Sequence, residues 1–153
     1  MRGFFRENTP KPIWNALRAG KYFAMDAFDL VSGRCLPPRE IMDFIGCGDF
    51  TLTGNEFLGY LKKYGALEPG DCVLDVGCGV GRMAVPLTKY LSKSGSYDGF
   101  DIVPRAIKWC SNNITSRYPN FRFHFADIYN KHFNPNGRLT AADFRFPYGD
   151  GMQ

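Results

Sequence analysis

The chain has 153 residues, 44% of them hydrophobic, and a net charge of +4 from 19 Lys and Arg against 15 Asp and Glu. That length suits one domain of about 100–150 residues, and no apolar run is long enough to span a bilayer or to act as a signal segment. Five scattered cysteines (Cys35, Cys47, Cys72, Cys78 and Cys110) are odd in number and contain no C-x-x-C pair. They fit reduced cytosolic thiols better than a disulfide frame or a zinc site, so a cytoplasmic, metal-free protein away from the membrane is expected.

The charge excess is local. Residues 1–21 carry Arg2, Arg6, Lys11, Arg18 and Lys21 against Glu7, which accounts for all of it. The rest of the chain is near neutral, and that argues against an extended nucleic-acid groove. The basic end reads as a solvated arm.

In chain order, residues 1–12 form a loose tail ending in Thr9-Pro10-Lys11-Pro12. Apolar residues from Ile13 to Leu30 fall close to helical spacing, with a break at Gly20. A loop follows around Ser32-Gly33 and Pro37-Pro38, then a short helical turn from Arg39 to Ile45 and another break at Gly46-Cys47-Gly48. Phe57, Leu58, Leu61 and Tyr64 give the next helix, 55–64, with Gly65 as its C-cap. Residues 1–54 thus form a helical leader and 55–153 a second, α/β region.

Cys72 to Val76 is a short apolar run after Pro69-Gly70-Asp71, as expected of a parallel strand covered on both faces. It enters Gly77, Cys78, Gly79, Val80 and Gly81, where glycines permit positive φ and close approach of a ligand to the backbone. Cys78 is read as a small packing residue and not as a nucleophile. A helix is expected from Arg82 to near Ser92, carrying Met83, Val85, Leu87, Tyr90 and Leu91. Free N–H groups at its start would favour anionic or polar ligand groups.

A second strand is expected over 97–101 and a helix from Pro104 to about Arg117. A third strand, 121–126, alternates apolar and polar residues as at a sheet edge. The order βαβαβ implies right-handed crossovers and a doubly wound sheet. Asp75, Asp101 and Asp127 fall at or near the three strand ends, 26 residues apart each time. In an open parallel sheet, ligands bind in the crevice beyond those ends. A carboxylate after the second strand can accept both hydroxyls of a ribose.

The dinucleotide fingerprint G-x-G-x-x-G would need a glycine where this chain has Arg82. Acid followed by G-x-G-x-G instead resembles motif I of the class I S-adenosylmethionine-dependent methyltransferases. The resemblance covers about residues 55–147, through V-L-D-V-G-C-G-V-G-R, Y-D-G-F-D-I-V-P-R-A-I-K-W-C and F-R-F-H-F-A-D-I-Y-N. It implies a Rossmann-like sheet with strand order 3-2-1 and S-adenosyl-L-methionine as cofactor.

It also implies that Gly77 and Gly79 face the methionyl part, with Cys78 and Gly81 completing the turn. Asp75 would hold the amino group directly or through water, Asp101 the ribose hydroxyls, and Ile102 would pack on adenine. Asp127 would accept from the adenine amino group, and the Ile128 N–H would contact the ring. A nicotinamide- or flavin-binding domain, or a non-catalytic α/β interaction module, are the alternatives.

His124 and His132 read as structural or solvated, and no Ser-His-Asp set or metal spacing assembles. Catalytic residues are therefore unassigned, and the methyl acceptor is unknown, a small molecule being favoured over a macromolecule. The family has seven strands, and this sequence stops where a fourth should start, so a truncated domain, inactive alone, is expected. The first strand would then be an edge carrying Val73, Leu74 and Val76, open to self-association.

Overall fold

The computed structural model describes residues 10–34, 36–46 and 48–148. The expected tail up to residue 9, Cys35, Cys47 and residues 149–153 lie outside the described residues. The chain forms two compact units, Met1–Cys47 and Gly48–Gln153.

The first unit is a helix pair, α1 (Lys11–Val31) and α2 (Arg39–Ile45). Pro12 suits the first turn of α1, where its missing N–H has no helical partner to lose. The helix continues through Gly20, where the sequence reading expects a break. One glycine costs only about 1 kcal/mol against alanine, too little to interrupt so long a helix. Arg39 of α2 ties the pair together, with Nη1 2.7 Å from Asp26 Oδ1 and Nη2 2.6 Å from Asp29 Oδ2. Asp29 is buried, and a buried carboxylate without a cation would be strongly destabilising.

The second unit begins with α3 (Phe50–Tyr64), five residues before the apolar spacing announces it. The Asp49 carboxylate caps it by accepting from Leu52 N at 2.7 Å, satisfying an orphan donor of the first turn. Gly54 lets α3 lie close to the segment after the glycine turn. A Cβ at this position would come 2.4 Å from the Arg82 carbonyl oxygen.

Next come β1 (Cys72–Val76), α4 (Ala84–Leu87), β2 (Ser96–Asp101), α5 (Pro104–Cys110) and β3 (Phe121–Phe125). A π-helical turn, Ser111–Thr115, extends α5. The helix expected from Arg82 to Ser92 contracts to the four residues of α4. Pro86 bears only on its late start, since it has no N–H to donate to the Arg82 carbonyl. Beyond it the spacing is mixed: Lys89 N to Pro86 O and Tyr90 N to Leu87 O span three residues, while Thr88 N to Ala84 O and Leu91 N to Leu87 O span four.

The three strands are parallel in the order β1-β2-β3. Val73, Tyr97 and Phe121 stand in register, as do Asp75, Gly99 and Phe123. These rows face the core, where Tyr97 and Phe121 pack with Cys78, Ala84, Leu87, Ile107, Cys110 and Ile114.

The opposite face carries Leu74, Asp98 and Arg122, then Val76, Phe100 and His124. Phe144, Phe146 and Tyr148 gather around Phe100 there. They leave β1 uncovered on that side, so Leu74 is 52% and Val76 65% exposed. The expectation of a strand covered on both faces is therefore corrected. His124 is structural, as expected: its Nε2 lies 3.0 Å from Asp98 Oδ1 and its ring stacks on Phe100.

Candidate cofactor-binding site

The carboxyl ends of β1 and β2 and the turn after β1 build one corner of the sheet. Gly77, Gly79 and Gly81 have φ of 91°, 55° and 76°, conformations that exact a cost from any residue with a Cβ. A Cβ on Gly77 would meet nothing within 4 Å, so the space over this peptide is open to a ligand. On Gly81 it would meet Ile114 Cδ1 at 3.0 Å and Cys110 Sγ at 3.2 Å. Gly77 therefore faces outward, and Gly81 serves packing.

The turn is held by its own donors. Gly77 N and Cys78 N both donate to the Phe100 carbonyl, at 2.7 and 3.0 Å. Gly79 N donates to Asp101 Oδ2 at 2.8 Å. These three N–H groups are committed to the protein.

Asp101 also caps the start of α5, its Oδ1 accepting from Val103 N at 2.8 Å. Each carboxylate oxygen thus has one backbone donor, and each retains a second lone pair. Ile102, beside it, is half-buried.

Asp75 sits on the core-facing side of β1, directly opposite Gly99. Its Oδ2 accepts from the Tyr97 hydroxyl at 2.5 Å. Burial pushes the Asp75 carboxyl above its ordinary value, the Tyr97 bond opposes the rise, and the nearby Asp101 charge adds to it. Cys78 is buried and its thiol is pushed far up, first by burial and then by Cys110, Asp75 and Asp101. A thiol so shielded is no nucleophile, in keeping with its reading as a packing residue.

Asp127 lies just past β3, whose Phe125 is in register with Asp101. Arg138 Nε reaches Asp127 Oδ2 at 2.5 Å, and Asn134 Nδ2 is 3.5 Å from Oδ1. The Arg138 guanidinium holds this carboxyl below its usual range, with burial opposing and Asn134 assisting. The loop closes on itself, because Arg138 N and Leu139 N both donate to the Asp127 carbonyl. Gly137 permits this closure, since a Cβ there would sit 2.4 Å from Tyr129 N. Ile128 N, expected to meet an adenine ring, donates instead to Ala126 O at 2.7 Å.

The structure thus brings Asp75, Gly77, Cys78, Gly79, Gly81, Asp101 and Ile102 together at one corner of the sheet, with Asp127 and Ile128 on the adjoining strand end. Sequence reasoning missed Tyr97, Asn134 and Arg138. A signal existed for Tyr97, since it stands on the same strand face as the residue opposite Asp75. None existed for Arg138, whose approach depends on how the loop folds. Among the described residues no group of three or more His, Cys, Asp or Glu converges for a metal ion, and no helix is long and apolar enough to cross a membrane.

A parallel βαβαβ sheet with an acid-bounded glycine turn is a Rossmann-like, nucleotide-binding arrangement. Comparison with known proteins adds a likeness: residues 73–143 match the methyltransferase domain family. A probable cobalt-precorrin-6B C(15)-methyltransferase (decarboxylating) of Thermoplasma acidophilum is 32% identical over 65 residues, which are 41% of this chain and 32% of that protein.

Among solved structures, coclaurine N-methyltransferase bound to N-methylheliamine and SAH aligns with a TM-score of 0.45 at 18% identity. The alignment covers 59% of this chain and 30% of that one. A TehB-like SAM-dependent methyltransferase from Corynebacterium glutamicum aligns with a TM-score of 0.30 at 19% identity, over 49% and 45%. The chain spans about a third of the length of the curated relative it matches. The family match, residues 73–143, takes in just under half of the chain.

Proposed function

We propose that the second unit binds S-adenosylmethionine and that the protein transfers the cofactor's methyl group to a small-molecule acceptor in the cytoplasm. The observation that carries this reading is the glycine turn with Asp101 beneath it. Gly77 leaves open space over its peptide, and Asp101 keeps a lone pair on each oxygen after bracing Gly79 and Val103. A ribose diol needs two acceptors on one carboxylate, and they are present. The family match over residues 73–143 supports the same cofactor. Cys72, Cys78 and Cys110 are free thiols, which suits a reducing compartment.

When bound, the cofactor supplies an activated methyl group on a sulfonium. The residues described here bind and orient it. Asp101 accepts from the ribose, Asp75 receives the α-amino group, and Asp127 sets the adenine edge. Ile102 gives the ring an apolar wall and helps exclude water. Such a site works by positioning the methyl group in line with its acceptor atom.

Calorimetric titration of the chain with S-adenosylmethionine, S-adenosylhomocysteine and NADH tests the reading. Binding of both adenosyl ligands without NADH binding is expected. Preference for NADH would replace it with the dinucleotide alternative.

A further inference from the structure

Tyr97 has no exposed surface and lies in the core row with Val73 and Phe121, its ring stacked on Phe121 with centroids 5.3 Å apart. A tyrosine so placed could be a phenylalanine if packing were its whole role. Its hydroxyl instead crosses to the next strand and donates to Asp75 Oδ2 at 2.5 Å. The residue opposite Asp75 is Gly99. Gly99 has no room for a side chain: a Cβ would meet Cys78 Sγ at 2.9 Å and Phe123 at 3.0 Å.

We propose that Tyr97 is a positioning residue for cofactor binding: its hydroxyl anchors the Asp75 carboxylate that receives the cofactor's α-amino group. This rests on the reading that the site takes S-adenosylmethionine. The titratable groups acting on Asp75 are the Tyr97 hydroxyl and the Asp101 carboxylate from β2, and the Cys78 thiol from the glycine turn. Burial and the Asp101 charge both disfavour a charged Asp75, and the Tyr97 bond favours it. A protonated Asp75 offers an ammonium group no charge. A carboxylate freed from Tyr97 also loses the contact that fixes its rotamer.

The test uses the full chain as wild type, Tyr97→Phe, Asp75→Asn and the double variant. Ligands are S-adenosylhomocysteine and its analogue lacking the α-amino group, titrated calorimetrically across pH. Phenylalanine keeps the ring and its stacking, and a thermal melt confirms folding. Tyr97→Phe should weaken S-adenosylhomocysteine binding on the order of tenfold, the effect of one hydrogen bond to a charged group. It should leave the desamino analogue unchanged.

Binding needs the ionised carboxylate, so it falls as pH drops through the Asp75 titration. Loss of the hydroxyl raises that titration, and the fall should begin at higher pH. In the ligand-free protein, carboxyl NMR of Asp75 should show the same upward move. In the Asp75→Asn background, Tyr97→Phe should cost no further affinity.

Equal weakening of both ligands, an unchanged Asp75 titration or a full Tyr97→Phe effect on top of Asp75→Asn would each overturn the proposal alone. Absence of S-adenosylhomocysteine binding in the wild type would overturn the cofactor reading, and this role of Tyr97 with it.

Discussion

Replacing Asp101 with alanine should damage the empty fold as well as the binding site. Its two oxygens hold the Gly79 amide of the glycine turn and the Val103 amide at the start of α5, both at 2.8 Å. Hydrogen bonds to charged groups contribute about 1.5–3 kcal/mol each. Asp101 is only half-buried, so the lower end applies, and the two together come to about 3 kcal/mol. A domain's whole stability is about 5–15 kcal/mol. For a domain of roughly 100 residues each kcal/mol moves the midpoint about 4 °C or more, so Asp101→Ala should lower Tm on the order of 10 °C without any ligand. Asp101→Asn keeps one acceptor and should lose about half as much. Calorimetric melting reads the shift, and amide exchange at Gly79 and Val103 should accelerate in step. A ligand-free Asp101→Ala that melts within about 2 °C of wild type would refute the bracing role and leave Asp101 a purely ligand-facing residue.

Three further outcomes follow from single contacts. Arg138 holds the Asp127 carboxyl down, a contribution present above the unfolded-state titration and lost as pH falls through the folded one. Arg138→Ala should move the Asp127 carboxyl titration upward by NMR, and an unmoved midpoint would dismiss the pair. Gly59 and Gly54 share α3 but not its surroundings, a Cβ meeting nothing within 4 Å at Gly59 and the Arg82 carbonyl at 2.4 Å at Gly54. Gly59→Ala should raise stability by about 0.5–1 kcal/mol and Gly54→Ala should lower it by about 1–3 kcal/mol in denaturant titrations; the same sign for both would contradict the packing. Among the described residues β1 pairs on one side only, with Leu74 and Val76 exposed. Sedimentation should therefore show concentration-dependent association of this chain that Leu74→Lys reduces, and a monomer at all concentrations would remove that edge as an interface.

Much of the sheet was legible because parallel strands announce themselves by composition. The run Cys72–Val76 and the alternation at 121–125 gave strand positions to within a residue, and the glycines gave the turn between β1 and α4. The failures each have a local cause. Asp49 moved the start of α3 because a cap residue outranks apolar spacing at a helix end. The regular part of α4 is short although Leu87, Tyr90 and Leu91 kept their helical period, since periodicity does not register where the bonds fall to three-residue spacing. Gly20 failed to break α1 because one residue's propensity is small against a 21-residue helix. The strand-end acids were visible by their spacing, but their pairing with Tyr97, Gly79, Val103 and Arg138 was not. Those pairings come from register and loop closure, which no single stretch of sequence encodes.

The same pairings explain how a site for a charged, flexible ligand can exist before the ligand arrives. Asp75 and Asp101 stand at one end of a small sheet, with Asp127 past the adjoining strand, and the first two left to themselves would repel and pay for partial burial. Each is instead occupied by a donor from its own chain: a buried phenol for Asp75, two backbone amides for Asp101, and a guanidinium for Asp127. None of these donors uses every lone pair, so each acid stays available to a ligand while its direction is fixed. Fixing direction in advance lowers the ordering cost of binding. It also couples folding and affinity at these positions, so alanine substitution cannot separate the two. Tyr97→Phe and Arg138→Ala can, because they leave the acids in place and remove only what aims them.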